Sequence, residues 1–581
     1  MSLLKKARNL VPIIVPAIPF AAWLVFLIWT STICNRSVFF FDALHQVDVS
    51  DQYTSILPPE RCFVEPLAGF AFTLGKQIEN SLLLIPVVYV VVRFVVAFIE
   101  KVIFRGSVKK DVIIEHARNV FNFYWKYAFL AFIVVFLIIV IGMATTGGLF
   151  LQQNFMSVLQ VAIIAWPVML AIKIVQNAFI FFKKDARLRV KPRKAWMRFS
   201  HDSPNYWAHK PWDVIGRELR YFISSFMIYA MVSLNLISTY IPPQVITPTT
   251  PLQPGEMLMD FHVHTTLSDG WLTPEERVDW YVKQGLQGAA ITDHCNVNGA
   301  LQARAYAQRM GYDFIVIIGQ EYTKYNPRIH LNIYGIEQTI PTDEYLGGNT
   351  SASKIPPMNV SQMIKYVKDN GGYVTVNHYD SSGEEYPLTQ LRDWGVDGFE
   401  IVNGGGERDA GIRTFCMANN LICLSASDED SSQPLPAFTR LKLADPSNKS
   451  IDAIFAALKN YSTTQCVAVN ELHNNIPWPD ELDEFRPARN FIVYLRSSEP
   501  AQIASWIAWS CALFGLYIVL WLFITKKMTI SSRESKLVDD PRKRSFMFAH
   551  RGITIGCIAA AVVIMVLVLN YLYLIYLSYG A

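Results

Sequence analysis

The 581-residue chain has few charges and lacks clustered cysteines. Charged residues make up 17% of it and hydrophobic residues 52%, and its mean hydropathy of +0.23 is too apolar for an ordinary soluble protein. The eight cysteines show no spacing typical of a metal site, although Cys34 and Cys62 share one segment and could form a disulfide. Neither a GxGxxG nor a GxxxxGKS/T motif occurs, so nucleotide-binding folds of those kinds are unsupported.

Long apolar runs predict an integral multi-pass membrane protein. A membrane-spanning helix needs about 20 apolar residues, and seven stretches meet this length. Five fall in an N-terminal membrane region, 1–242, and two in a C-terminal membrane region, 498–581. The predicted spans are 11–30, 81–99, 127–149, 156–182, 221–242, 502–525 and 552–577.

The distribution of basic residues predicts the orientation. Segments 100–126, 183–220 and 526–551 are rich in Lys and Arg, whereas segment 31–80 is acidic. The positive-inside rule then places the N-terminus in the cytoplasm and segment 243–501 outside the cytosol, in a lumen, at the cell surface or in a periplasm. In the outer segment 31–80, Phe39-Phe40-Phe41 could lie on the membrane surface.

Glycosylation sequons agree with this orientation and would make the protein a glycoprotein in a eukaryote. All of them fall on the predicted outer side. They are at Asn35, Asn349, Asn359, Asn448 and Asn460.

The character of the sequence changes after a Pro-rich linker, 243–256. From 257 to about 430 short apolar runs alternate with helical stretches, one of which opens with Thr273-Pro274-Glu275-Glu276, a typical helix start. The domain itself is expected to cover 257–497. Repeated strand–helix units predict an α/β domain with a parallel sheet or barrel.

Polar side chains stand at the predicted strand ends of this domain, where catalytic groups of such barrels lie. The run Met257-Leu258-Met259 leads into His262-x-His264, and residues two apart on a strand share a face. Ser268-Asp269-Gly270 reads as a turn that could return a carboxylate to the histidines. Imidazoles and carboxylates together suit Zn, Mn or Fe, so the pattern predicts a metal centre.

These motifs resemble those of the polymerase and histidinol phosphatase (PHP) superfamily of metal-dependent hydrolases, over about 257–432. The resemblance implies a distorted (β/α)7, TIM-like barrel holding two or three divalent metal ions. The motifs are His262-x-His264, Ser268-Asp269-Gly270, Thr292-Asp293-His294, Gly319-Gln320-Glu321, His330, Asn377-His378 and Ser427-Asp428.

The resemblance also implies a set of metal ligands. One metal would take His262, His264, Glu321 and Asp428. A second would take His330 and His378 with Glu321 bridging, and a third would involve Asp269 and His294. Glu321 and Asp428 would then hold the metal-bound water that acts as nucleophile.

The last motif departs from the family pattern. The family often has Ser-Asp-x-His there, whereas this chain has Ser427-Asp428-Glu429-Asp430. Asp430 could replace the histidine as an oxygen ligand, which would favour Mn or Mg, or the third site could be weak or empty.

Other residues near the motifs have supporting roles in this interpretation. Asp260 and Asn377 could orient ligands from outside the coordination shell. Cys295 is expected to be a bystander. The possible contacts to an anionic substrate are Lys324, Arg328 and Arg408.

The sequence therefore predicts a membrane-anchored phosphoesterase that hydrolyses a phosphate mono- or diester with a metal-activated water. The expected partners are membrane lipids and a phosphoester substrate. Because the domain is tethered to the membrane at both ends, this substrate could be a lipid or glycolipid headgroup. No nucleic acid partner is expected, and the oligomeric state is not predicted. The alternatives are hydrolysis of a non-phosphate ester, amide or carbamate, a nuclease of the same family, and a non-catalytic metal-binding receptor or scaffold. The nuclease is disfavoured because the barrel segment lacks a long basic stripe and is predicted to lie outside the cytosol.

Overall fold

The computed structural model describes residues 2–75, 235–342 apart from 237–238, 355–471 and 486–534, with short helical segments between 130 and 176. The predicted sequon at Asn349 lies outside the described residues. The other sequon asparagines, Asn35, Asn359, Asn448 and Asn460, are exposed, and their glycosylation stays a prediction.

Fourteen strands occur in the described residues, and all but two of them join one sheet. They are β1 (Val38–Asp42), β2 (Val47–Asp48), β3 (Tyr53–Ile56), β4 (Val245–Pro248), β5 (Glu256–Asp260), β6 (Gly288–Ile291), β7 (Ile315–Tyr325), β8 (Arg328–Tyr334), β9 (Tyr373–Val376), β10 (Gly398–Asn403), β11 (Gly406–Glu407), β12 (Ile422–Ala426), β13 (Ala437–Lys442) and β14 (Gln465–Glu471).

Ten helices accompany them in the described residues, besides the short helical segments between 130 and 176. They are α1 (Ser2–Ser31), α2 (Arg61–Gly75), α3 (Pro274–Gln284), α4 (Asn298–Met310), α5 (Val360–Asp369), α6 (Leu388–Trp394), α7 (Ala410–Ala418), α8 (Ile451–Leu458), α9 (Arg486–Arg496) and α10 (Pro500–Glu534).

Seven strands, β5 to β10 and β12, form a ring. Strands β5, β6 and β7 pair in parallel, as do β9, β10 and β12. Strand β12 returns to β5, because Val263 bridges to Glu429 and the Asp428 amide donates to the His262 carbonyl at 2.9 Å. The prediction of a mixed α/β fold is confirmed. Strands and helices alternate along the ring except at one place, where β7 and β8 form an antiparallel hairpin without an intervening helix.

Helix starts on the outside of the ring follow the sequence signals. Thr273 caps α3 with a reciprocal bond to Glu276, and Pro274 occupies the first turn. The helix buries Val278 and Trp280 in a cluster that includes Ala303 of α4. Packing of these helices fixes the strand ends that they connect.

The sheet extends beyond the ring into a part of the chain that the sequence assigned to the N-terminal membrane region. Strand β13 pairs with β5, β14 with β13, and β1 with β14, all antiparallel. Phe40 is 2% exposed, with its ring 5.2 Å from that of Tyr53 and 6.5 Å from that of Phe438. The expectation that this aromatic segment lies on a membrane surface is therefore wrong for Phe40, because β1 is a strand of the domain.

Helices α1, α2, α9 and α10 form a second body, which we call the helical bundle. Phe20 of α1 stacks on Phe514 of α10 at 4.1 Å, and the Trp23 indole donates to Ser510 at 2.9 Å. Inside the bundle Arg61 and Glu65 form a buried ion pair at 3.2 Å. Cys34 and Cys62 are both free, so the suggested disulfide is absent.

One described helix is long and apolar enough to cross a bilayer, namely α10 over Pro500–Val519. Shorter apolar helices cover Pro16–Ser31, Ile133–Gly142 and Pro167–Gln176. The predicted spans 81–99 and 552–577 lie outside the described residues, and 127–149, 156–182 and 221–242 lie partly outside them. The seven-span topology and its orientation therefore stay a prediction.

Candidate metal centre

The end of β5 supplies the first two imidazoles. His262 and His264 are two residues apart and both fully or nearly buried, with their Nε2 atoms 3.2 Å from each other. Asp428, which follows β12, places Oδ1 3.1 Å from each of these two nitrogens. Three potential ligand atoms thus converge where the ring closes between β12 and β5.

The Ser268-Asp269-Gly270 turn brings a further carboxylate to this point, as its sequence suggested. Asp269 lies 3.6 Å from His264 Nδ1 and 3.1 Å from His294 Nε2. Position 270 requires glycine because a Cβ there would lie 2.6 Å from the His264 carbonyl oxygen. The tight turn therefore depends on the missing side chain.

Glu321 on β7 occupies the middle of the cluster. Its carboxylate lies 2.7 Å from His294 Nδ1, 2.9 Å from His330 Nδ1 and 3.4 Å from His378 Nε2. It is also 3.6 Å from His262 Nε2, and it is 1% exposed. A buried carboxylate surrounded by imidazoles is suited to bridging two cations.

The predicted ligands fall into four overlapping groups whose donor atoms lie within 4.8 Å of one another. These groups are His262, His264 and Asp428; His264, His294 and Glu321; Glu321, His330 and His378; and His264, Asp269 and Asp430. The structure thus brings together all nine residues predicted to bind metal.

The donor set fits divalent metal ions. Five imidazoles and four carboxylates suit Zn, Mn or Fe. Asp430 supplies an oxygen ligand to the group that contains His264 and Asp269. Asp430 Oδ1 is buried and has no hydrogen-bond partner among the described residues. A bound cation would satisfy that oxygen, which a purely structural cluster leaves unsatisfied.

Electrostatics couple the imidazoles to the carboxylates. Burial alone lowers the pKa of His262, but the charges of Asp428, Glu400 and Glu321 outweigh burial and raise that pKa well above its usual value. Burial likewise opposes ionisation of Asp428, yet the charge of His262 and its neighbours lowers the pKa of that carboxyl. Without metal, protons would therefore hold the cluster together in place of cations.

The two predicted supporting residues contact the cluster in different ways. Asn377 Nδ2 donates to Glu321 Oε1 at 3.1 Å, which fixes the carboxylate that would bridge two cations. Asp260 accepts from the backbone amides of His262 and Ser427 and from the Tyr281 hydroxyl. Asp260 thus fixes the backbone where β5 meets β12 and contacts no ligand ring.

Sequence reasoning missed Glu400. Its Oε1 lies 2.7 Å from His262 Nδ1, and its Oε2 accepts from the His378 amide and from Asn403 Nδ2. Holding Nδ1 leaves His262 Nε2 to face the metal, which is the usual task of a carboxylate behind a histidine ligand. An acidic residue within the apolar strand run 398–402 was the signal that could have found it.

The predicted substrate-contact residues are not equivalent. Alternation along β7 places Lys324 on the face opposite to Glu321 and Thr323, although it is buried. Arg328 shares a face of β8 with His330 and is exposed at its rim. Arg408 donates to the Asn403 carbonyl at 2.9 Å and to Ser381 at 3.0 Å, and so joins the loops that follow β9 and β10.

Two residues near the rim differ in their relation to the centre. Tyr325 was not singled out from the sequence, yet it shares the face of Glu321, and burial raises its pKa to about 12. Cys295 is buried with its thiol directed at the Thr323 carbonyl, 3.8 Å away, in keeping with a bystander.

Comparison with known proteins agrees with this arrangement. The stretch from Asp260 to Tyr386 matches the family model described as PHP domain. The match covers the strand ends that carry His262, Glu321 and His378.

Two curated proteins are similar to parts of the chain. Phosphoribosyl 1,2-cyclic phosphate 1,2-diphosphodiesterase of Eggerthella lenta is 32% identical over 98 residues, 16% of this chain and 37% of that protein. The 5'-3' exoribonuclease Rnm of Escherichia coli K12 is 37% identical over 87 residues, 15% of this chain and 30% of that protein.

A solved structure is also similar. It is a two-domain protein from Bacteroides vulgatus containing a predicted PHP-like metal-dependent phosphoesterase, 22% identical, with a TM-score of 0.30. The similarity covers 41% of this chain and 71% of that one. The chain spans only about a third of the length of the curated relatives that it matches.

Proposed function

We propose that this protein is a membrane-anchored, metal-dependent phosphoesterase that hydrolyses a phosphodiester or monoester of a lipid or glycolipid headgroup. The observation that carries the hydrolase part is the convergence of nine imidazole and carboxylate side chains, Glu321 among them. The two curated relatives are, by name, a phosphodiesterase and an exoribonuclease, and this favours a phosphodiester over a carboxylic ester or amide.

The residues of the metal centre would have different roles in phosphoester hydrolysis. Bound divalent ions would lower the pKa of a coordinated water and neutralise charge on the phosphate oxygens. Glu321 and Asp428 would orient the attacking water, because both carboxylates reach the middle of the ligand groups. Glu400 would keep His262 in the tautomer that presents Nε2.

The rim residues would bind the substrate phosphate. Arg328 and Arg408 are cationic and lie next to His330 and Asn403 respectively. A guanidinium can donate two parallel hydrogen bonds to phosphate. Replacing Arg408 by Ala should therefore raise KM for the phosphoester more than it lowers kcat, with Lys324→Ala as a comparison from the opposite face of β7.

The membrane part of the proposal rests on the helical bundle. Its helices α1 and α10 expose Ile18, Val25, Leu516 and Val519 at 54–67% of their surface. Exposed large apolar side chains on two helices that pack together are typical of contact with a membrane or another protein. The length of α10 and the double tether of the domain favour the membrane.

The topology supports a substrate that approaches from the bundle side. Strand β14 runs parallel to β5, because both pair antiparallel with β13, and β1 runs antiparallel to β14. Glu471, where the chain leaves β14 towards α9, and Val38, where it arrives from α1, therefore lie at the same end of the sheet as His262. The metal centre and the bundle share that end.

A substrate panel on the full-length protein tests the proposal. Purified protein in detergent, loaded with Zn, Mn or Fe, would be assayed with lipid phosphodiesters, soluble phosphomonoesters, a 5'-phosphorylated oligoribonucleotide and carboxylic esters. We expect turnover of phosphoesters, with lipid substrates preferred. Hydrolysis of soluble phosphomonoesters without any lipid turnover would contradict the lipid headgroup, and turnover of carboxylic esters alone would contradict the phosphoesterase.

One second candidate has a specific observation behind it. The relative in Escherichia coli is named as an exoribonuclease, which acts on a nucleotide phosphodiester. The oligoribonucleotide in the panel separates this function from the first, and its preferred hydrolysis would replace the lipid headgroup as the substrate class.

A further inference from the structure

A buried cation lies beside the metal centre without being one of its ligands. Arg277, near the start of α3, has no exposed surface. Burying a guanidinium costs free energy unless its N–H groups find acceptors. The acceptors that Arg277 takes therefore indicate what the side chain does in this position.

The acceptors of Arg277 are main-chain carbonyl oxygens. Its Nε donates to the His264 carbonyl at 3.1 Å, its Nη1 to that of Ser431 at 2.8 Å and its Nη2 to that of Glu429 at 2.9 Å. A guanidinium is planar and presents its N–H groups in a fixed arrangement. The side chain therefore holds three carbonyls of two separate segments in one geometry.

Both of these segments carry metal ligands. His264 is a predicted ligand that follows β5. Glu429 and Ser431 lie on either side of Asp430, in the loop that follows β12. His264 and Asp430 belong to the same group of potential ligands. Arg277 thus holds the backbone at two members of that group.

Direct main-chain bonds hold the two segments together less completely. The His264 amide lies 3.4 Å from the Glu429 carbonyl, which is long for a hydrogen bond, and the Trp271 amide donates to the Asp430 carbonyl at 2.7 Å. With the two bonds from Arg277, the three successive carbonyls of residues 429–431 all accept from the segment that leads from β5 into α3. Removing Arg277 would leave only the middle one of these bonds at a short distance.

The guanidinium is itself held from the helix side. Its Cζ lies 4.8 Å from the centre of the Trp280 ring, one turn further along α3, and the indole is fully buried. A cation over an indole face is attracted by the ring. The start of α3 is fixed by the reciprocal cap between Thr273 and Glu276. The position of Arg277 therefore does not depend on the metal ligands.

We propose that Arg277 is a positioning residue of the metal centre, which sets the loop after β12 against the end of β5 so that His264 and Asp430 can contact the same cation. A lysine would supply charge but not the three directed donors of a guanidinium. The inference rests on the metal centre of the proposed function, but on neither the phosphoester substrate nor the membrane anchoring.

The Zn²⁺ affinity of the full-length protein in detergent tests this role without any substrate. Metal-free protein would be titrated with Zn²⁺ against a chelator, and its thermal unfolding midpoint, Tm, would be measured in parallel. Arg277→Met removes the donors and keeps an unbranched side chain, and Arg277→Lys keeps the charge. Val278→Ala is the matched control, because Val278 is buried in the apolar cluster behind α3 and contributes to packing alone.

We expect Arg277→Met to bind Zn²⁺ about 10–100-fold more weakly than the wild type, as is typical when a residue that orients metal ligands is lost. Arg277→Lys should be intermediate. Val278→Ala should keep the wild-type affinity although its Tm falls. Wild-type affinity in Arg277→Met would overturn the proposal, and so would losses of affinity that follow the fall in Tm equally in Arg277→Met and Val278→Ala.

Two further outcomes are separable. If Arg277→Met does not fold, Arg277→Lys decides, because unchanged affinity in that variant would overturn a role for the three directed bonds. A wild type that binds no Zn²⁺ would contradict the metal centre itself. A wild type that binds Zn²⁺ while both Arg277 variants bind it equally well would overturn the positioning role alone.

Discussion

The metal centre and the helical bundle both bury charged groups, but they do so for different ends. Around Glu321 five imidazoles and further carboxylates face one another and leave the Asp430 oxygen unsatisfied. In the bundle Arg61 and Glu65 neutralise each other, and Glu65 accepts further bonds from Tyr494 and Gln502. A cluster with an excess of ligand atoms indicates a cation site, whereas a closed ion pair indicates packing.

The two regions also differ in how far apart their partners lie in the sequence. Short motifs at strand ends carry most of the centre, while the bundle depends on pairs such as Trp23 with Ser510 and Arg36 with Glu499. Strand β1 joins the regions, because it follows α1 and pairs with β14. The two regions should therefore respond separately to mutation, except at β1.

The largest effect on activity is expected at Glu321, the carboxylate that would bridge two cations. Glu321→Gln should reduce phosphoesterase activity at least about a thousandfold, since metal ions supply several kcal/mol of transition-state stabilisation. Steady-state kinetics and metal content would be measured together. Glu337→Gln, at an exposed carboxylate paired with Arg304, is the control and should keep both. Comparable activity in the two variants would remove Glu321 from the centre.

The next effect tests whether the N-terminal segment belongs to the domain. Phe40→Ala should reduce the free energy of unfolding by about 3–5 kcal/mol, as is typical for a buried aromatic ring. Phe39, its neighbour on the strand, is 38% exposed, and Phe39→Ala should cost much less. Denaturant unfolding of both variants measures the difference. Equal, small losses would mean that β1 is not packed as described.

A smaller effect is expected at Glu400. Because it orients His262 from behind, Glu400→Gln should weaken metal affinity about 10–100-fold without abolishing it. Competition with a metal chelator measures this affinity. A loss as complete as that of Glu321→Gln would make Glu400 a ligand, and no loss would leave it a packing residue.

The mildest test uses pH. Carboxylates raise the pKa of His262, His264, His294 and His378 against the opposing effect of burial. Protons therefore compete with metal at these nitrogens, and metal affinity should rise with pH and fall as pH decreases, beginning above the ordinary histidine pKa near 6.5. Chelator competition across pH checks the sign. The bundle, which holds no histidine in its described residues, should show no parallel loss of structure.

The sequence was informative where chemistry is concentrated in short motifs. His262-x-His264, the Ser268-Asp269-Gly270 turn and Glu321 could be read as one site because strand ends gather at one edge of a sheet. Glu400 escaped notice since its role depends on the strand pairing that brings β10 opposite His262. Lys324 stays a predicted substrate contact, and its place on the face of β7 opposite to Glu321 could be read only once the strand bounds were known.

Contacts across long stretches of sequence were not predictable in the same way. No local sequence pattern predicts that Val38 pairs with Glu471. Nor does one predict that Val245–Pro248, within the predicted linker, pairs with Tyr53–Ile56. The apolar runs are unusually long, but the hydropathy of a helix does not predict which other helix it packs against. Pairing specificity resides in side-chain packing, which a single sequence does not display.

The most direct test of the account is the metal content of the full-length protein, for wild type and for His264→Ala, by elemental mass spectrometry. The full chain is required because β1 and β3 precede the domain in sequence and complete its sheets. We predict at least two equivalents of Zn, Mn or Fe in the wild type and a clear reduction in His264→Ala. Absence of stoichiometric metal under varied metal supply would contradict the hydrolase and leave the domain as a binding scaffold.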